Sequence, residues 1–393
     1  MDFLAEHAAL TAPLRSQLSQ IVAYGLKSQL PITSKIVDGN IYETSVSYAI
    51  QTLAGNAETT YQNSIDMTKD FILYTRMKLT DNNDYMNFNF GIAGTLQFQL
   101  SVGYGWATSA KDGCSISIHD AINSSNTNLG SMDMYTTAHD LIVWYDHKWG
   151  YLNVYIDNVL IGSWKPTAGA NLAGVTRVYG KAGSTSTLVT LDYLYIGIPL
   201  VTSIGDSIAG GAILHAANPE QYAGVDTYAN SYHKLISDYL KLIGIRNYFV
   251  VNKAVNGETS DTILARFAAD IVATGCKFVL IQGGINDYTT HAEENTTIQN
   301  KIDMANAAII GNITPLIVGT IPTQLASEAH GWSIILHLKE NQSYRAYFYV
   351  DVWKAVEGTT PYVADDAKMS DGAHPNASGY SAMSDEICEY INI

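Results

Sequence analysis

The chain has 393 residues, more than one hydrophobic core usually serves, so two domains are the default expectation. With 47% hydrophobic and 15% charged residues it falls outside the disordered class. Acidic residues outnumber basic ones 37 to 22, a formal charge of −15, which sets the chain against phosphate backbones and anionic membrane surfaces and removes nucleic acid from the expected partners. No run approaches the roughly 20 apolar residues that span a bilayer, so membrane insertion is not expected. Cys114, Cys276 and Cys388 are far apart, lack metal-ligand spacing and read as small buried hydrophobes. The opening MDFLAEHAAL carries Asp2 and Glu6 where a secretory signal carries positive charge.

In chain order, residues 12–30 place Leu14, Leu18, Ile21 and Leu26 on a helical stripe, with Thr11 and Pro13 as start signals and Pro31 as a stop. Segment 1–34 is therefore predicted helical, either packed on its own domain or serving as an oligomerisation or anchoring helix that would make a homo-oligomer. From 35 to 198 the pattern changes to short alternating runs rich in β-branched and aromatic residues, such as FILYTRMKL, LQFQLSV, DLIVWYD and YLNVYID, separated by Gly, Asn, Asp and Ser. Many short strands at this spacing predict an antiparallel β-sandwich. The run from His139 to Trp164 resembles the core hairpins of concanavalin-like and laminin-G-like jelly rolls, in which a Tyr-x-Asp-Asn/Gly turn joins two strands. That resemblance implies a lectin-like, carbohydrate-binding domain. Trp106, Trp144, Trp149 and Trp164 are candidate sugar platforms, with core packing the better reading of Trp144 inside its apolar run.

After Pro199 five apolar runs, near 200–206, 247–254, 277–283, 314–321 and 346–353, alternate with helical stretches such as ANSYHKLISDYLKLIG and TSDTILARFAADIVATG. Strands alternating with helices predict crossovers and a parallel sheet over 199–393. In such sheets functional groups collect beyond the carboxyl ends of the strands.

Special residues follow the runs. The first ends in Gly205-Asp206-Ser207-Ile208, the second leads to Gly257, and the third ends in Gly284-Ile285-Asn286-Asp287; Asp371 and His374 follow the fifth, before the last helix. A serine hydroxyl is a poor nucleophile until a base takes its proton, and the base works best when a carboxylate orients it. Ser207, His374 and Asp371 are candidates for those roles. The backbone N–H groups of Ser207 and Gly257 and the side-chain amide of Asn286 are candidate donors to a developing oxyanion. Asp206 reads as holding its turn and Asp287 as supporting the Asn286 loop beside the substrate pocket, with Tyr288 lining that pocket or packing. His215, His291, His330 and His337 read as surface or packing residues.

In order and content these blocks resemble the SGNH, or GDSL-type, hydrolases over 199–393. The resemblance implies a three-layer α/β/α fold of flavodoxin-like order, with Ser207 as nucleophile, His374 as base, Asp371 as its orienter, and Gly257 with Asn286 in the oxyanion hole. Ile208 stands where the older motif name has leucine, and Ala254-Val255-Asn256-Gly257 lacks a glycine often seen there. The expected activity is a serine esterase removing acyl groups, foremost O-acetyl, from a poly- or oligosaccharide, with no metal or organic cofactor. The alternatives are a lipid or thioester hydrolase of the same fold, and a phage or cell-surface glycan-binding protein whose esterase activity is secondary. An extracellular or virion-associated location is expected, with the cytoplasm left open.

Overall fold

The computed structural model describes residues 39–44, 47–52, 57–61, 69–79, 85–92, 95–103, 114–132, 134, 137–148, 150–165, 177–183, 188–211, 231–242, 248–290, 293–324, 327–344 and 349–391. The helix expected at 12–30 lies outside them, as do Trp106 and Trp149. The chain divides into two compact units, whose described parts fall within 39–198 and 199–391. No helix among the described residues is long and apolar enough to cross a membrane.

The first unit is built of antiparallel strands: β1 (Gly39–Thr44), β2 (Ser47–Thr52), β3 (Ala57–Tyr61), β4 (Phe71–Lys78), β5 (Tyr85–Ile92), β6 (Thr95–Gly103) and β7 (Cys114–Asp120). They are followed by β8 (Ser125–Met132), β9 (His139–Asp146), β10 (Tyr151–Ile156), β11 (Val159–Trp164), β12 (Arg177–Gly183) and β13 (Leu188–Gly197). One sheet has the order β1-β2-β13-β4-β9-β10-β11 and the other β3-β12-β5-β6-β7-β8. Because side chains alternate along a strand, one set from each strand can enter a common core. Phe71, Leu73, Leu141, Val143, Leu152 and Val154 of the first sheet share a cluster with Phe88, Phe90, Phe98, Leu100 and Ile116 of the second. The Phe90 and Phe98 rings stack 4.3 Å apart, and Phe98 leans on Trp164 at 5.2 Å. The β10–β11 hairpin turns through Asp157 (φ 48°) and Asn158 (φ 65°), with Ile156 facing Val159 across it. Two consecutive left-handed residues match the twist of the flanking strands, which explains the Asp-Asn pair in the sequence.

In the second unit, β14 (Val201–Ile204), β15 (Val250–Asn252), β16 (Phe278–Ile281), β17 (Thr314–Val318) and β18 (Tyr349–Val350) form one parallel sheet, ordered β15-β14-β16-β17-β18. Each strand lies within one of the five apolar runs. The chain reverses direction across the sheet between β14 and β16, which makes the crevice beyond their carboxyl ends the natural place for a ligand. Its helices are α1 (Ser207–Gly210), α2 (Tyr232–Leu242), α3 (Ser260–Phe267), α4 (Glu294–Ile310), α5 (Ser327–Ser343), α6 (Trp353–Val356) and α7 (Ala377–Ile391). Ile263 and Phe267 of α3, Met304 and Ala308 of α4 and Leu336 of α5 bury against Ile204, Val279 and Ile281. Helices α2 and α7 meet through Tyr232 and Tyr380, whose ring centroids are 6.4 Å apart. Helix α5 has no clear apolar stripe in its sequence because Ile335 and Leu338 are exposed on it.

Candidate active site

The site begins where β14 ends. Gly205 must be glycine: a Cβ there would lie 2.6 Å from Ala209 Cβ and 2.6 Å from the Gln282 carbonyl oxygen. Asp206 then caps α1, its Oδ1 accepting the Ile208 N–H at 2.9 Å, and Ser207 is the first helical residue. The turn expected from Gly-Asp is thus a helix cap, closed also by Gln282 Oε1, which accepts the Ala209 N–H at 3.0 Å. Asp206 is fully buried and its Oδ2 has no partner among the described residues. Burial, only partly offset by the Ile208 N–H, pushes its carboxyl up to about 6.

His374 comes from the other end of the unit. Asn376 Oδ1 accepts the Ser378 and Gly379 N–H groups at 2.9 and 3.1 Å and so caps α7, leaving 369–375 as a loop ahead of it. Tyr380 of α7 donates its hydroxyl to the Ile208 carbonyl at 3.0 Å, which holds the helix against α1. The loop thereby sets His374 Nε2 2.9 Å from Ser207 Oγ. The other ring nitrogen, Nδ1, lies 2.9 and 3.1 Å from the two Asp371 oxygens. An ionised carboxylate only accepts, so Nδ1 carries the proton of the neutral ring and the Nε2 lone pair faces the serine hydroxyl. Asp371 also accepts the Ala373 and His374 N–H groups, each at 2.7 Å. Its partial burial raises its pKa, but those hydrogen bonds and the His374 ring outweigh the effect and leave it below the ordinary carboxylate value.

The expected oxyanion donors come from two further loops. Gly257 is exposed, with φ +77°, and a Cβ there would meet nothing within 4 Å, so backbone angle rather than space favours glycine. The N–H groups of Ser207 and Gly257 donate to no other described residue. Asn286 lies on a 3-10 turn, Ile285–Thr290, and gives one amide hydrogen to the Glu258 carbonyl at 3.0 Å, keeping the other. Asp287 is 1% exposed, so it does not line a pocket. Its carboxylate accepts the Ser260 hydroxyl, the Ser260 N–H at 2.8 Å and the Thr297 hydroxyl at 2.8 Å, an arrangement that anchors the Asn286 turn to α3 and α4. Tyr288 is half-buried and packs on the core shared by α3, α4 and α5.

Of the other histidines, His330 Nδ1 meets the Thr323 carbonyl at 2.8 Å, and His337 stacks on Trp353 with Asp351 3.8 Å away. His215 and His291 lie outside the described residues. In the first unit Trp144 and Trp164 are 8% and 6% exposed, so neither is a sugar platform: one donates its indole N–H to Asp70 and the other fills the core. Three residues that sequence reasoning passed over hold the site's loops: Gln282, Glu258 and Arg266. The spacing of Arg266 and Asp270, four apart on a helical pattern, was the available signal for an ion pair.

The family model of GDSL-like lipases/acylhydrolases matches residues 203–382, a little under half of the chain. Those residues are a GDSL-like acylhydrolase domain. No curated protein matches the chain significantly. Among solved structures, the chain is similar to a GDSL-like lipase from Bacteroides thetaiotaomicron, at 20% identity over 49% of this chain and 87% of that one, with a TM-score of 0.39. It is also similar to an acetylxylan esterase from Geobacillus stearothermophilus, at 18% identity over 49% of this chain and 94% of that one, with a TM-score of 0.39.

Proposed function

We propose that the acylhydrolase domain is a serine ester hydrolase in which Ser207 is the nucleophile, His374 the general base and acid, and Asp371 the residue that orients and charges against His374. The observation that carries this reading is the unbroken relay from Ser207 Oγ to His374 Nε2 at 2.9 Å and from His374 Nδ1 to Asp371 at 2.9 Å. Ser207 Oγ attacks the ester carbonyl while its proton passes to Nε2. The carbonyl oxygen becomes an oxyanion, received by the Ser207 and Gly257 N–H groups and the Asn286 amide. His374 returns the proton to the departing alcohol, leaving an acyl-serine. Water, deprotonated by the same nitrogen, then releases the carboxylic acid and restores the hydroxyl.

The preferred substrate is a small acyl group, foremost acetyl, on a bulky hydrophilic carrier such as a poly- or oligosaccharide. Support comes from the exposure of the groups that flank the buried Ser207: the Asp371 side chain is 56% exposed and that of His374 25%, and Gly257 is exposed. The loops that carry the proposed groups also bear the polar side chains Asn256, Asn286 and Asp371, which suits an acylated sugar better than a long acyl chain. The antiparallel unit, which we read as a jelly-roll sandwich, would hold the glycan.

Hydrolysis of p-nitrophenyl acetate by the parent and by Ser207→Ala tests the chemistry. A loss of about 10⁴-fold or more is expected, and an unchanged rate overturns it. Acetate release from a panel of acetylated polysaccharides tests the substrate. A rate that climbs from acetyl to octanoyl esters would instead favour a lipid or thioester substrate.

A further inference from the structure

We propose that Arg266 is the positioning residue of the oxyanion hole, one guanidinium that sets the relative placement of all three loops carrying its donors. The inference rests on the reading of Ser207, Gly257 and Asn286 given above. Parallel pairing between β14 and β15 stops at Ser203 and Asn252. Beyond it the chains still run together, with Lys253 N–H on the Ser203 carbonyl at 2.8 Å and Val255 N–H on the Gly205 carbonyl at 2.9 Å, before they part into the Ser207 turn and the Gly257 loop. Backbone carbonyls at such an edge have left the ladder and need other donors.

Arg266 supplies one to the Lys253 carbonyl and adds a second to the Gly205 carbonyl, which already accepts the Val255 N–H. Its Nη1 donates to the Lys253 carbonyl at 2.7 Å, and its Nη2 reaches the Gly205 carbonyl at 3.4 Å. One contact is on the segment that leads to Gly257 and the other is two residues before Ser207. Its Nε and Nη2 also grip Glu258 Oε2 at 2.7 and 2.6 Å. Glu258 directly follows Gly257, and its carbonyl is the group that receives the Asn286 amide at 3.0 Å. The same side chain is thus tied to the Ser207 turn, to both sides of Gly257 and, through Glu258, to Asn286. Asp270, 1% exposed and 2.7 Å from Nη1, holds the guanidinium from behind, on the π-helical turn Ala268–Val272 that follows α3. The Arg266 side chain is only 11% exposed, and its hydrogen bonds are with these partners, so the role assigned to it is positioning. A guanidinium offers five N–H donors in a fixed planar fork, which matches these four acceptors; an ammonium in the same place keeps the charge but has three donors on one atom and loses that geometry. Oxyanion donors are effective only when they sit where the charge develops, so loosening their common support lowers transition-state binding and leaves ground-state binding alone.

The test uses the full chain and the variants Arg266→Lys and Arg266→Met with p-nitrophenyl acetate. Arg266→Lys keeps a cation beside Asp270 and is expected to fold. We expect its kcat to fall about 10- to 100-fold with KM within about threefold. Its affinity for an aryl boronic acid, which forms a tetrahedral adduct on serine, should fall by the same factor as kcat/KM. Added guanidinium ion should restore part of the activity of Arg266→Met. A kcat within twofold of the parent in Arg266→Lys, or a fall carried by KM with boronate affinity unchanged, overturns the proposal. Should Arg266→Met fail to fold, Arg266→Lys alone decides. Ser207→Ala measured alongside separates the two readings: if it stays active, the serine mechanism itself has failed, whereas an inactive Ser207→Ala beside a fully active Arg266→Lys sinks only the role of Arg266.

Discussion

In the antiparallel unit the buried acids pair chiefly with side chains of other strands and with nearby turns. Asp70 accepts the Trp144 indole and the His147 ring at 3.1 and 2.5 Å and the His147 N–H at 3.2 Å, Asp140 meets Arg76 at 3.4 Å, and Asp146 accepts the N–H of Lys148, two residues on, at 3.1 Å. In the parallel unit the buried polar side chains reach across the chain to backbone groups of other segments. Glu340 takes the Thr320 N–H at 2.8 Å while paired with Lys301 at 2.6 Å, Asp287 takes the Ser260 N–H, Gln282 the Ala209 N–H, and Arg266 the Lys253 and Gly205 carbonyls. The difference follows from connectivity. An antiparallel hairpin such as β10–β11 closes within two residues, so its turn satisfies itself locally. Parallel strands all end at one edge and leave for distant helices, so the amides and carbonyls at that edge need partners from afar. Groups collected there for structural reasons surround the place where Ser207 and His374 meet.

Four substitutions would break or sharpen that contrast. Asp371→Asn should show the largest effect, a fall in kcat of about 10³- to 10⁴-fold, because an amide cannot hold the His374 proton on Nδ1 as the carboxylate does. An unchanged Tm would locate that loss in chemistry, and retained activity would remove Asp371 from the relay. Phe98→Ala, in the first unit, is expected to cost about 3–5 kcal/mol in denaturant unfolding, since the ring is fully buried between Phe90 and Trp164. Its folded fraction should keep the parent's kcat, and a loss of kcat would mean that the first unit contributes to the reaction. Asn286→Ala removes one proposed donor, and kcat should drop about 10²- to 10³-fold with little change in KM. A KM effect alone would recast Asn286 as a substrate-binding residue.

The smallest effect concerns stability and pH. Asp206 has a folded pKa of about 6 against an ordinary 3.8, so the native state holds a proton that the unfolded chain has already released between those values. Its contribution is fully present below about pH 3.8 and is lost as pH rises through about 6, a difference on the order of 3 kcal/mol. Asp206→Asn keeps an acceptor for the Ile208 N–H and removes the titration. Its stability relative to the parent should therefore rise from pH 4 to pH 7. A parallel course of the two unfolding curves over that range would show that Asp206 is ionised without penalty.

Much of this was legible in the residues. The five apolar runs hold the five parallel strands because strands buried on both faces read as continuous apolar stretches. The Asp157-Asn158 turn was readable because only a few residues accept two left-handed angles in succession. Helix α5 was not, since its exposed Ile335 and Leu338 blur the stripe. Trp164 looked like a sugar platform because an aromatic residue at a strand end has no sequence mark of which face it takes; packing against Phe98 decided it. Asp287 is placed beside Asn286 in sequence, yet its carboxylate turns inward to Ser260 and Thr297.

The sequence by itself determined which chemistry was on offer: a serine after the first strand, glycine and asparagine after the next two, and an aspartate and histidine three apart before the last helix. Those are local choices, readable because strand ends, caps and turns restrict residue types within a few positions. Only the tertiary structure decided that Ser207 and His374, 167 positions apart, stand 2.9 Å from one another, and that Arg266, inside an unremarkable helix, reaches the segments before Ser207 and around Gly257. Such distances depend on how crossovers return the chain to one edge of a sheet, which no short stretch of sequence encodes.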